Sequence, residues 1–135
     1  MHKRSKLLQV MHMPSVKYPV FEYLYRDASN FKSFGRLWVR GELSQIDKEE
    51  LLSCLDIDNT FVAEQIGIPA LYDELFSYSN GRTCDDHSWH EFSSFQDKTE
   101  LPANVEVWGT TRALLSSFKG CKDAWDPEHS PNFCC

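Results

Sequence analysis

The chain has 135 residues, enough for one ordinary domain whose single core needs neither a metal nor a disulfide staple. Hydrophobic residues make up 41% and charged residues 25%, and nine Phe, five Tyr and four Trp imply a core rich in aromatic rings. A formal charge of -6 argues against a general DNA or RNA binder, whose phosphate contacts need a basic face, and no apolar stretch approaches a membrane span.

The charge is segregated along the chain. Through Arg40, eight Lys or Arg stand against two acids; from Gly41 onward, six bases stand against eighteen acids. Such a chain yields a dipolar molecule that orients toward charged partners. Its five Cys, at 54, 84, 121, 134 and 135, show no paired CxxC spacing and read as reduced thiols inside a cell. The basic start (Lys3, Arg4, Lys6) leads into an apolar run, Leu7 to Val10, too short for a signal-peptide core, so a cytoplasmic setting is expected. Residues 1–17 read as a loose extension, 18–120 as one globular domain and 121–135 as an irregular tail.

Val20 to Arg26 alternates so that Phe21, Tyr23 and Tyr25 share one face, as a half-buried strand requires. Asp27-Ala28-Ser29-Asn30 then supplies side chains that fold back on nearby backbone groups and start a turn. A second strand over Arg36 to Leu43 points Leu37, Val39 and Leu43 one way and Arg36, Trp38 and Arg40 the other, pairing with the first as a long-looped hairpin. Ser44 with Asp47 resembles a capping box, and Leu51, Leu52 and Leu55 give the helical stripe behind it.

Thr60 to Ile68 fits both periods and is read as strand or extended chain. Pro69, the four-residue spacing of Leu71/Leu75 and Tyr72/Phe76, and the Asn80-Gly81 stop predict a helix over 69–79. Asn104 to Trp108 alternates like a strand; Thr110 or Thr111 caps a last helix with the stripe Leu114, Leu115 and Phe118, ended by Gly120. This order predicts an α+β fold, a small mainly antiparallel sheet with about three helices packed on one face.

Cys84-Asp85-Asp86-His87-Ser88-Trp89-His90-Glu91 holds the densest group of titratable side chains in the chain. If the segment is helical, His87, His90 and Glu91 share a face with Asp86 adjacent, donors suited to zinc, manganese or iron. If it is a strand, His90 faces away and the site breaks. The plainer reading makes the cluster scaffolding, with an Asp capping a turn, Trp89 and Phe92 in the core, and both His bonded to neighbours. No glycine-rich phosphate loop appears, and a Cys84–His87 pair has no identifiable oxyanion hole.

Arg36, Trp38 and Arg40 form a second candidate, a basic and aromatic patch of the kind that stacks on bases or on a partner's side chains. The Cys134-Cys135 ending resembles the prenylated end of small membrane-attached GTPases, but that family's nucleotide motifs are missing. Asp27-Ala28-Ser29-Asn30-Phe31-Lys32 after an aromatic strand, together with Asp86-His87 and Trp89-His90-Glu91, resembles a family of small bacterial proteins with which no activity is associated. That resemblance spans roughly residues 18 to 100 and implies no catalytic residues.

These features point to a small intracellular interaction or regulatory protein, not an enzyme. It is expected to bind a protein partner or a second copy through its aromatic-rich face and acidic C-terminal two-thirds, without cofactor, nucleic acid or membrane. The alternative is a hydrolase or nuclease that uses a divalent metal held by Asp86, His87, His90 and Glu91.

Overall fold

Strand β1 (Tyr18–Arg26) buries Phe21, Tyr23 and Tyr25 on one face, as their alternation predicts. The computed structural model describes residues 16–72 and 87–130. Asp27 closes the turn after β1, its Oδ1 accepting from the backbone N–H groups of Ser29 and Phe31 at 2.9 Å each, while Asn30 takes a left-handed φ of 68°. The turn is therefore complete by Phe31, and β2 (Lys32–Arg40) starts at Lys32 rather than at Arg36. Arg26 pairs directly with Lys32, so the hairpin loop is short, not long.

β2 stops at Arg40 because Gly41 turns the chain at φ 123°, against the expectation of a strand through Leu43. A Cβ on Gly41 would lie 2.7 Å from Thr111 Oγ1. Gly41→Ala meets both a strained φ and a steric clash. It is expected to lower stability by about 1–3 kcal/mol, read as a shift in the urea midpoint.

Helix α1 (Gln45–Ser53) begins with the capping box that Ser44 and Asp47 announce. Asp47 N–H donates to Ser44 Oγ at 3.1 Å, and Ser44 N–H donates to the Asp47 carboxylate at 3.1 Å. After a 3-10 turn over Ile57–Asn59, the segment read as extended divides in two. Phe61 follows the strand period in β3 (Thr60–Phe61), and Ala63 and Ile66 follow the helical one in α2 (Ala63–Ile66), which Gly67 ends at φ 72°. Beyond Tyr72 the helix expected over 69–79 lies outside the described residues, as do Cys84, Asp85, Asp86 and Cys134-Cys135.

β4 (His90–Lys98) lies between β1 and β3. The strand expected over 104–108 does not form. Trp108 holds that segment instead, its backbone N–H donating to the Trp38 carbonyl at 2.8 Å and its indole to the Gly67 carbonyl at 2.9 Å. Only β5 (Gly109–Thr110) pairs, parallel to β2. Helix α3 (Thr111–Cys121) follows at once, with Thr110 Oγ1 accepting from the Ala113 N–H at 3.0 Å.

The sheet order is β3-β4-β1-β2-β5, with three antiparallel ladders and one parallel. The fold is α+β as expected, and its sheet is mixed rather than purely antiparallel. Buried residues of all three helices, including Leu51, Ile66 and Phe118, belong to one cluster with Phe21, Tyr23, Leu37 and Val39. The three described α-helices therefore cover the same sheet face. Trp125 closes the cluster from beyond α3, its indole N–H donating to the Cys54 carbonyl at 2.8 Å. Among the described residues no helix is long and apolar enough to cross a membrane.

Candidate functional site

The side chains that alternate with the core positions make the opposite face of the sheet, called the helix-free face because none of the described helices covers it. They are Glu22, Leu24 and Arg26 on β1, Lys32, Phe34, Arg36, Trp38 and Arg40 on β2, and Glu91, Ser94 and Gln96 on β4. At the centre, Glu22 accepts from Ser94 Oγ at 2.9 Å and from Arg36 Nε at 3.0 Å. The Ser94 hydrogen bond holds the Glu22 carboxyl below its usual range, with Gln96 and Arg36 assisting against the upward push of desolvation. Arg26 donates to Glu91 at 2.9 Å and also to Asn30, tying the end of β1 to β4 and to the turn.

Arg36 and Arg40 are exposed on this face, but Trp38 is only 9% exposed, in the wall of a cleft that Leu101 and Pro102 also line. Its ring offers little area to a partner. The accessible aromatic groups are Phe34, 68% exposed, and Phe31 in the turn beside it, 62% exposed. Phe34 has the same parity as Arg36 and Trp38, so the alternation already contains it. Starting the strand at Arg36 hid it.

His90 occupies the opposite face. It is fully buried, and its Nε2 accepts from the Leu71 N–H at 3.0 Å. The rings of Tyr23, Tyr25, Phe61 and Tyr72 surround it, with centroids 5.0 to 6.0 Å away. Burial pushes its pKa down to about 4, with His87 adding in the same direction and the Ser88 backbone partly opposing. Nδ1 has no hydrogen-bond partner of good geometry among the described residues. The Tyr72 hydroxyl bonds to Glu64 at 2.8 Å, and Ser130 Oγ donates to the same carboxylate at 2.8 Å, a polar knot that joins α2 to the tail.

Glu91, the next residue, points to the helix-free face and its ion pair with Arg26. His87 Nδ1 accepts from the Trp89 N–H at 3.0 Å, and the His87 carbonyl accepts from the Tyr25 hydroxyl at 2.7 Å. His87 and Glu91 line one cleft of about 580 Å³ with Arg26, Asp56 and Asp58, and the alternation of β4 puts Glu91 on the sheet face opposite the His90 ring. The helical convergence of His87, His90 and Glu91 is not adopted, because β4 is paired on both sides, by β1 and by β3. Among the described residues no group of three or more His, Cys, Asp or Glu side chains is placed to hold a metal ion.

Family models, curated proteins and solved structures give no match to this chain. The resemblance of residues 27–32 and 86–91 to a bacterial family gains no support from them, and function is argued from the geometry of the two sheet faces.

Proposed function

We propose that the protein is a small interaction or regulatory protein that binds a macromolecular partner through the helix-free face of its sheet and performs no catalysis. The observation that carries this reading is Phe34, 68% exposed between Lys32 and Arg36, with the exposed Phe31 in the turn that precedes the strand. A single exposed apolar side chain is ordinary. An exposed phenylalanine flanked by two cations, on a face that none of the described helices covers, with a second exposed phenylalanine in the adjoining turn, has the aromatic and arginine-rich composition that dominates protein interfaces. The unpaired thiols of Cys54 and Cys121 support a cytoplasmic setting.

The titratable groups fit binding better than turnover. His90 is fully buried, enclosed by rings and already accepts a backbone hydrogen bond, so no substrate reaches it. Glu22 and Glu91 are committed to Arg36 and Arg26.

Phe34→Ala combined with Arg36→Ala tests the reading. Arg36 is 66% exposed in its ion pair with Glu22, and such pairs contribute less than about 1 kcal/mol, so stability is expected to change little. Complexes that the unaltered protein forms in sizing and pull-down experiments should be lost. Retention of the same complexes by the double variant, or a lone monomer in both experiments for the unaltered protein, would refute it.

A further inference from the structure

Among the described residues, the outer edge of β2 is unpaired over most of its length. Asp27 N–H donates to the Phe31 carbonyl and Gly41 N–H to the Lys17 carbonyl, each at 2.9 Å, so odd-numbered residues along β2 turn their backbone groups toward β1. Trp38 O accepts from the Trp108 N–H at 2.8 Å on the other side, so even-numbered ones turn outward. β5 pairs only with Val39 and Arg40. The N–H and C=O groups of Lys32, Phe34 and Arg36 therefore point away from the sheet. Among the described residues, none of them bonds to another backbone group.

The same alternation sends these three side chains to the helix-free face, where all are exposed. The result is a strip roughly 15–20 Å long at the usual rise of a strand, with backbone donors and acceptors along its rim and the side-chain order cation, aromatic, cation. On the helix side the strip is closed, since Ser33 is buried and a Cβ on Gly35 would already lie 2.9 Å from the Leu71 side chain. Glu22 neutralises Arg36 from the inner side only, leaving it 66% exposed, and Asp97 and Glu100 line the cleft on the Trp38 side of Arg36.

A second copy of the chain is a poor occupant. Antiparallel pairing of β2 with itself about Phe34 sets Lys32 against Arg36 at both ends, and a parallel pair sets each cation against its own copy. Like charges directly opposed across strands destabilise the pairing. We propose that this edge takes an extended segment of a partner protein in which two carboxylates flank an apolar residue at alternate positions, adding a strand to the sheet. The inference rests on reading the helix-free face as the recognition surface and supplies its mode and chemistry. Backbone hydrogen bonds hold the incoming strand, and the Lys32, Phe34, Arg36 order selects its side chains. The motif reads the same in both directions, so either strand orientation satisfies it.

The probe is the peptide acetyl-Thr-Glu-Thr-Leu-Thr-Glu-Thr-amide, titrated into the full chain and followed by amide chemical shifts and by anisotropy of a labelled copy. Saturable binding is expected, with the largest shifts at Lys32 to Arg36. Lys32→Glu with Arg36→Glu should weaken it about tenfold or more, because two attractive cross-strand pairs become repulsive. Lys32→Gln with Arg36→Gln, which introduces no repulsion, should show a smaller loss in the same direction, and cooperative urea transitions, with the charge-reversed midpoint lowered by the Glu22 opposite position 36, confirm that both variants are folded. Methylating the peptide nitrogens that face the edge should abolish binding.

Absence of binding to the unaltered protein would overturn the inference, as would undiminished binding to the charge-reversed protein or equal binding of the methylated peptide. Tighter binding of a single-stranded oligonucleotide at the same residues, or a dimer of the unaltered protein paired through β2, would also overturn it. If partner complexes depend on Phe34 and Arg36 while the peptide does not bind, the face is in use and strand addition alone is wrong. If neither is seen, the recognition reading falls with it.

Discussion

Replacing Phe61 by Ala is expected to lower the unfolding free energy by about 3–5 kcal/mol. The ring is fully buried, with centroids 5.7 Å from Phe21, 5.5 Å from Phe118 and 6.3 Å from Trp125. It therefore touches the sheet, the last helix and the tail at once, and no neighbour collapses into the space without leaving another. β3, which positions it, has only two residues, so the ring anchors the strand as much as the strand positions the ring. Against a total stability of about 5–15 kcal/mol for a domain, such a loss leaves the fold marginal. Urea denaturation followed by tryptophan fluorescence measures it. A loss below about 1 kcal/mol would show that the aromatic cluster is not close-packed around Phe61.

The second large effect is a dependence of stability on pH carried by His90. Its folded pKa of about 4 lies below the unfolded value of 6.5, so the unfolded chain takes up the proton first as pH falls. The stability this group contributes is fully present above pH 6.5 and is lost progressively between 6.5 and 4. Between about pH 7 and pH 4.5 the loss amounts to roughly 2–3 kcal/mol. His90→Gln keeps an acceptor for the Leu71 N–H but does not titrate. The unaltered protein is expected to be the more stable of the two near pH 7, with the gap closing by that amount near pH 4.5. Parallel urea curves give both values. A gap that stays constant across this range would mean that His90 is not held neutral in the fold.

Local signals decided which elements were legible in the sequence. Alternation in residues 20–26 placed Phe21, Tyr23 and Tyr25 correctly because all three face the core. Ser44, Asp47 and Thr110 marked helix starts because caps act within one turn of chain. Where pairing depends on a distant strand, the text was silent. Residues 90–98 carry Phe92 and Phe95 on the core side with a register shift opposite Glu22/Tyr23, so their alternation is broken exactly where it would be read. Val105 and Val107 alternate without a strand partner among the described residues, and the parallel pairing to β2 begins only at Gly109.

The candidate sites followed the same division. The densest polar segment drew attention to His87, His90 and Glu91, yet the strand pairing that sets His90 and Glu91 on opposite faces involves residues 18–26 and 60–61. Arg36 and Arg40 were found by composition, whereas the exposed ring proved to be Phe34, not Trp38. Trp38 looked like an anchor because its parity is right. It lies 9% exposed in a cleft that it lines with Leu101 and Pro102, more than sixty residues on, a proximity that alternation does not report.

The most direct measurement is photo-cross-linking in cells with a photoreactive phenylalanine analogue placed at Phe34 or, separately, at Ile46. Both positions are exposed, but Ile46 lies on α1, in the layer of helices on the other side of the sheet. Discrete protein adducts are expected from position 34, weakened by Arg36→Glu, and none from position 46. Adducts from position 46 with none from position 34 would contradict recognition through the helix-free face.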